Sequence, residues 1–259
     1  MTRRTALALF APSPDWRALL ARSITHDEEN FNLLRSYVFE IFNLGVRTRQ
    51  SRFTQSFEVN LVGPGMYFRK LTTNDTPLSP EEAALEQSRL RLHLAQATTN
   101  DPKAQWRKER ELLQIWLETH QFFFKGETQI EMRPAWIIES KPPSRTLAQI
   151  GYLTNAATRI VIDRESGHWV EANCKFLRPT SFDMQQLLMG RISLPYSPGL
   201  VNRDNSPAGS TLRFSLKRLE DGPWVPDLYR MDQPGFFTEL RFSNFRKFTA
   251  ESQLLPAPQ

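Results

Sequence analysis

The stretch from Gly126 to Pro142, GETQIEMRPAWIIESKP, constrains the fold more than any other. Two apolar runs of strand length flank a charged corner, Glu131-Met132-Arg133-Pro134. Ile130 and Met132 lead in, Ala135 to Ile138 lead out, and the β-branched and aromatic side chains of the second run suit a pleated, half-buried surface. The pattern predicts the central hairpin of an antiparallel sheet. It carries no reactive group and points to architecture, not chemistry.

Period-2 alternation extends on both sides. Tyr37, Phe39 and Ile41 alternate with Val38, Glu40 and Phe42, and Phe57, Val59 and Leu61 alternate with Glu58, Asn60 and Val62. Gly63-Pro64-Gly65 breaks the run and Met66 to Leu71 resumes it. Beyond the hairpin, Ile160 and Ile162 lead through the polar turn Asp163 to Gly167 into Trp169 to Phe176, with Val170, Ala172, Cys174 and Phe176 on one face. Phe182 to Leu194 reads as strand or short helix, and Pro195 to Ser210 as a polar loop. Leu212, Phe214 and Leu216 then alternate, a turn at Glu220-Asp221-Gly222 leads to Trp224 and Val225, and a last strand spans Phe236 to Ser243. The 18 Phe and 18 Pro fit many strands joined by proline-punctuated loops, and only 11 Gly predict few tight primed turns.

Helical signals are local. Asp15 to Arg22 and Asp27 to Arg35 read as two short helices. Ser79-Pro80-Glu81-Glu82 is a helix start with a capping serine, proline at the first position and acids in the first turn. That helix should run to about Ala97, break over Thr98 to Pro102, and restart from Lys103 to Glu118 with Leu112, Leu113, Trp116 and Leu117 on one face. The first eleven residues, with two arginines before a mildly apolar run, read as a degenerate or partial export signal interrupted by Pro12 and Pro14. Residues 1–25 are therefore assigned to that segment and an N-terminal helix. Residues 26–255 form a single domain with a charged helical insertion at about 79–118.

A net charge of +5 raises nucleic acid as a partner, but Lys and Arg are interleaved with 28 acidic residues and form no like-charge block, so none is expected. No apolar run approaches the roughly 20 residues that a membrane-spanning helix needs. Cys174 stands alone, which permits no intramolecular disulfide and leaves the compartment open. The histidines His26, His93, His120 and His168 lack metal-ligand spacing and read as surface or turn residues. Nucleophile elbows and phosphate loops are missing. The carboxylate pairs Glu127 with Glu131 and Asp163 with Glu165 are explained by turn solubility. No catalytic residue, metal or cofactor is assigned. What remains is a surplus of large apolar side chains on strands. A closed core is their simpler reading, and a curved sheet enclosing an apolar hollow is the other.

The segment order resembles a known group. The strand run, the helix opening at Pro77 to Glu82, Phe122 to Glu127, Arg133-Pro134-Ala135-Trp136, Ile160-Val161-Ile162-Asp163, Trp224-Val225-Pro226 and Phe245-Arg246-Lys247-Phe248 resemble uncharacterised bacterial proteins similar to the LolA and LolB lipoprotein carriers. The likeness covers about residues 27–255. It implies an α+β, mainly β fold, a curved antiparallel sheet forming an unclosed barrel, with helices covering the concave face. It further implies a non-enzymatic, periplasmic or envelope-associated monomer that holds a lipid or lipoprotein acyl chain and passes it to a membrane-associated partner. Candidate wall residues are Phe57, Val59, Leu61, Ile130, Trp136, Ile138, Val170, Ala172, Leu212, Phe214, Leu240 and Phe242. The alternative is an envelope interaction protein with a solid sheet. No cysteine follows the leader to carry a lipid, and the insertion at Ser79 to Glu118 is longer than a simple carrier requires.

Overall fold

The computed structural model describes residues 15–34, 36–47, 51–62, 65–96, 102–144, 155–181, 205–220 and 222–248. In chain order, α1 (Trp16–Leu34) precedes β1 (Tyr37–Arg47), β2 (Ser51–Val62), β3 (Gly65–Thr73) and the short β4 (Thr76–Pro77). Two helices follow, α2 (Pro80–Gln96) and α3 (Pro102–Thr119). Then come β5 (Gln121–Ile130), β6 (Arg133–Lys141), β7 (Ala156–Asp163), β8 (Trp169–Phe176), β9 (Thr180–Ser181), β10 (Asn205–Ser206), β11 (Thr211–Arg218), β12 (Trp224–Gln233) and β13 (Phe236–Lys247).

Eleven strands make one antiparallel sheet in the order β4-β3-β2-β1-β13-β12-β11-β8-β7-β6-β5, and β9 pairs with β10 separately. The last long strand pairs with the first, so the free edges are β4 and β5, which are consecutive in sequence. Pairing those two would close a barrel. Instead α2 and α3 are inserted between them, and the sheet stays open. The unclosed, mainly β architecture is the one that the resemblance to the LolA and LolB carriers implies.

The hairpin from Gly126 to Pro142 forms as expected, with Ile130 opposite Arg133. Its position differs: β5 is an edge strand, not the centre of the sheet. The exposed Phe123 and Phe124 mark that edge. The turn residues Glu131 and Met132 both have positive φ, as do Asn74 and Asp75 between β3 and β4. Both turns therefore take the primed geometry that matches strand twist, without glycine. Asn, Asp and even longer side chains enter this region at a cost of about 1 kcal/mol, so these two turns form without glycine.

Four further differences are local. The two expected N-terminal helices are one continuous α1. β12 runs on to Gln233, well past Val225, and β13 continues through a bulge to Lys247, with Asn244 at φ 54°. Asn205–Ser206, inside the expected polar loop, forms a short strand, whereas the reading of 182–194 lies outside the described residues. The leader at residues 1–11 and the breaks at 63–64 and 98–101 also lie outside them.

The expected start of α2 is present as a reciprocal capping box. Ser79 Oγ accepts from the Glu82 N–H at 3.2 Å, and the Glu82 carboxylate accepts from the Ser79 N–H at 3.0 Å. That second bond, the largest influence on it, holds the Glu82 carboxyl below its ordinary range. At the other end of the insertion, Arg17 of α1 donates to the carbonyls of Leu117 and His120, capping α3 and tying the two helices together.

Candidate functional site

One face of the sheet carries Phe39, Ile41, Phe57, Val59, Phe68, Ile138, Ile160, Leu240 and Phe242, all buried, and we call it the inner face. Strand register arranges them in continuous rungs. The longest runs Phe124–Ile138–Ile160–Ala172–Phe214–Tyr229–Leu240 across seven strands, then turns polar at Asn43 and Gln55. A neighbouring rung places Phe242, Ile41 and Phe57 side by side.

Two apolar clusters share this face. One gathers Phe57, Val59, Leu212, Leu240 and Phe242 around Phe39. The other joins Ile138, Ile160, Ile162 and Val170 to Leu20 and Ile24 of α1 and to Leu113, Trp116 and Leu117 of α3. Phe214 packs against both and is the bridge between them. Thus α1 and α3 lie over the β6 to β8 part of the inner face. By contrast α2 is seated on β3 through Tyr67, whose hydroxyl donates to the Glu86 carboxylate and, at 3.1 Å, to the Glu86 carbonyl. Tyr67 alternates with Phe68 of the inner cluster, so α2 sits on the opposite face.

The sequence-derived wall residues distribute as follows. Phe57, Val59, Ile138, Val170, Leu212, Leu240 and Phe242 are buried. Ile130, Trp136, Ala172 and Phe214 are only half-buried and rest against the second cluster. Leu61 pairs with Met66 in the ladder, and its side chain lies outside the described residues, as does that of Leu112 in α3. Trp136 is further contacted edge-on by Trp16 of α1, which itself stacks on Phe124 at 4.7 Å. Ala172 and Phe214, opposite each other at mid-sheet, are thus less covered than their rung neighbours Ile160 and Tyr229 on either side.

Sequence reasoning missed two polar groups on this rung. Tyr229 and Asn43 are almost wholly buried, and Tyr229 Oη and Asn43 Oδ1 meet no hydrogen-bond partner among the described residues. Burial pushes the Tyr229 hydroxyl well above its usual range, with Cys174 adding to the effect, so it is a protonated donor at any physiological pH. The alternation of Val225, Tyr229 and Met231 could have revealed it, but Asp227 at a bulge-shifted position hides the period.

The carboxylates, histidines and cysteine singled out in the sequence take the following places. Asp163, assigned to turn solubility, is instead buried and paired with Arg133. Its sequence companion Glu165 also reaches Arg133, at 2.7 Å, and Glu127 pairs with Arg164. His120 is fully buried beside Trp116, not on the surface. His26 lies within α1, its ring 5.0 Å from that of His168. Among the described residues no group of three or more His, Cys, Asp or Glu side chains is arranged to hold a metal. Cys174 is buried on the inner face, as its alternation predicts.

Neither protein-family models nor curated proteins give a match to this chain. Solved structures do show likeness. A DUF1329 family protein from Desulfovibrio piger aligns over 89% of this chain and 92% of its own, at 11% identity and a TM-score of 0.38. A domain described as an outer membrane lipoprotein-sorting protein, from Vibrio parahaemolyticus, aligns over 89% and 94%, at 12% identity and 0.37. A LolA superfamily protein from Nitrosomonas europaea aligns over 88% and 98%, at 7% identity and 0.35. The chain is similar to each of the three over most of its length.

Proposed function

We propose that this protein is a non-enzymatic binding protein that holds a lipid or lipoprotein acyl chain against the inner face of its open sheet. One observation carries the reading: Phe214 and Ala172, at the middle of an apolar rung seven strands wide, are only half-buried although Tyr229 and Ile160 beside them are almost fully covered. An apolar chain laid along that seam would gain roughly 0.8 kcal/mol per methylene removed from water. The Tyr229 hydroxyl, a buried donor in need of an acceptor, suits an ester or amide carbonyl at the head of such a chain. The proposed wall comprises the half-buried Ile130, Trp136, Ala172 and Phe214 with the buried residues flanking them. An envelope location and a membrane-associated delivery partner accord with acyl cargo. No described helix is long and apolar enough to cross a membrane.

Native mass spectrometry of the protein purified from its own cell envelope, followed by lipid extraction, tests this. A bound acyl species at defined stoichiometry that is lost in a folded Phe214→Glu variant is the expected result. A bare mass that persists after lipid is added, or retention of the lipid by the folded Phe214→Glu variant, would overturn it and favour an interaction protein with a solid sheet.

A further inference from the structure

The face of β3 opposite the inner clusters carries a separate cavity. Tyr67 and Arg69 point there, opposite Asn60 and Glu58 of β2, whereas Phe68 opposes Val59 on the inner side. With α2 anchored through the Tyr67 hydroxyl to Glu86, a cleft of about 330 Å³ remains between the helix, β3 and β4. Its walls are mainly apolar, from Leu71, Pro77, Leu78, Ala83 and Leu90, with Arg69 and Lys70 along one side. The volume lies at the small end of the range for ligand sites, roughly 300–1,000 Å³.

We propose that this cleft is a second binding site, for a single-chain carboxylate amphiphile whose head group meets Lys70 and whose chain lies against Leu71, Leu78 and Leu90. Charge complementarity selects the head group. Glu86 is engaged by Tyr67 and by Arg89 at 2.7 Å, and Glu58 by Arg69 at 2.9 Å and Arg246 at 3.3 Å. Among the described residues Lys70 reaches only Glu82, at a long 3.7 Å, and Glu82 is already committed to the N-terminus of α2 and to the Thr73 hydroxyl. Arg69 Nε is buried without a partner among the described residues. The loosely held Lys70 ammonium and the open Arg69 Nε–H are thus the donors left for an incoming carboxylate at this end of the cleft. The apolar walls select a chain behind that head. The cleft contains none of the residues of the two inner clusters and does not rest on the function proposed for that face.

The test is isothermal titration calorimetry on the full chain with decanoate, octanoate and decanol. A carboxylate-selective component is expected, about fourfold weaker for each methylene removed. Lys70→Gln should weaken decanoate on the order of tenfold and leave decanol unchanged. Filling the cleft with Ala83→Phe, or with Leu90→Trp should the first fail to fold, should abolish this component, whereas Phe214→Glu should leave it intact. No decanoate binding, equal affinity for decanol, or decanoate binding unaltered by a folded cleft-filling variant would each overturn the proposal. Binding lost only in Phe214→Glu would do so too, while leaving the inner-face reading standing.

Discussion

Arg133 grips Asp163 with two hydrogen bonds, Nε to Oδ2 at 2.8 Å and Nη2 to Oδ1 at 3.1 Å, across the ends of β6 and β7. The Ser166 N–H and hydroxyl, both at 2.7 Å, occupy the same carboxylate, and the Arg164 N–H bonds the Pro134 carbonyl at 3.0 Å. The hairpin turn before β6 and the turn between β7 and β8 are therefore locked together. Removing this buried carboxylate leaves the guanidinium with the exposed Glu165 alone, at 2.7 Å, and leaves the Ser166 N–H and hydroxyl without their acceptor. Asp163→Ala should lower stability by about 2–3 kcal/mol, measured by urea unfolding at pH 7.

The same carboxylate sets an acid limit. Burial alone pushes Asp163 up, but Arg133 and Ser166 outweigh it and hold it at about 2, below the ordinary 3.8. A depressed folded-state pKa stabilises the fold at pH values above the ordinary one, and that contribution disappears as pH falls from about 4 through 2. The stability difference between wild type and Asp163→Asn should therefore be full at pH 7, smaller at pH 3 and near zero at pH 2. Urea titrations of both proteins at these pH values check this, and a difference that stays constant with pH would refute it.

Sequence alternation made the inner face legible because each rung is built from period-2 positions: Phe57, Ile41 and Phe242 fall into register as the pattern demands. What it could not show is which strands become edges. That follows from where the chain is interrupted, and α2 and α3 between β4 and β5 decide it from a distance. Nor could it show that α2 sits on the opposite face, since the choice rests on Tyr67 reaching Glu86 across the cleft. Bulges hide the rest. The register shift between Ser215 and Leu216 disguises the facing of Asp227 and Tyr229, and with it the buried hydroxyl of the proposed site.

Ser79 was legible as a cap, and its box makes a local prediction. Ser79→Ala removes the acceptor for the Glu82 N–H and should cost about 1 kcal/mol. Since α2 attaches to the sheet chiefly at β3, the loss should appear first as faster amide exchange in the opening turn of α2. Hydrogen exchange read by mass spectrometry distinguishes this from a uniform loss of protection across the sheet, which would contradict it.

Arg17 caps α3 from a position 100 residues earlier in the chain, while its guanidinium lies 5.7 Å from the Phe122 ring. Its two donors reach two different carbonyls, those of Leu117 and His120, which suits a planar fork and not a single ammonium. Arg17→Met should destabilise by about 1–2 kcal/mol and loosen the last turn of α3, and Arg17→Lys should recover less than half of that. Urea unfolding gives the magnitudes. Full recovery by lysine would show that charge at the helix end, not the fork, accounts for the contact.

The turn at Glu131 and Met132 offers a change in the stabilising direction. Both residues sit at positive φ, 49° and 63°, and the Met132 side chain is almost fully exposed, so it contributes no burial in return for its strained backbone. Asn-Gly is the preferred pair for a primed turn. Met132→Gly should relieve the steric cost at one position, partly offset by the greater freedom of glycine in the unfolded chain, for a net gain of about 0.5 kcal/mol. Adding Glu131→Asn should raise this to about 1 kcal/mol. The Arg133–Asp163 pair begins at the next residue and must stay intact for the gain to appear, so the double substitution should stabilise wild type more than it stabilises Asp163→Ala. A double-mutant cycle measured by urea unfolding at pH 7 tests that coupling: equal gains in both backgrounds would mean that the turn and the ion pair act independently.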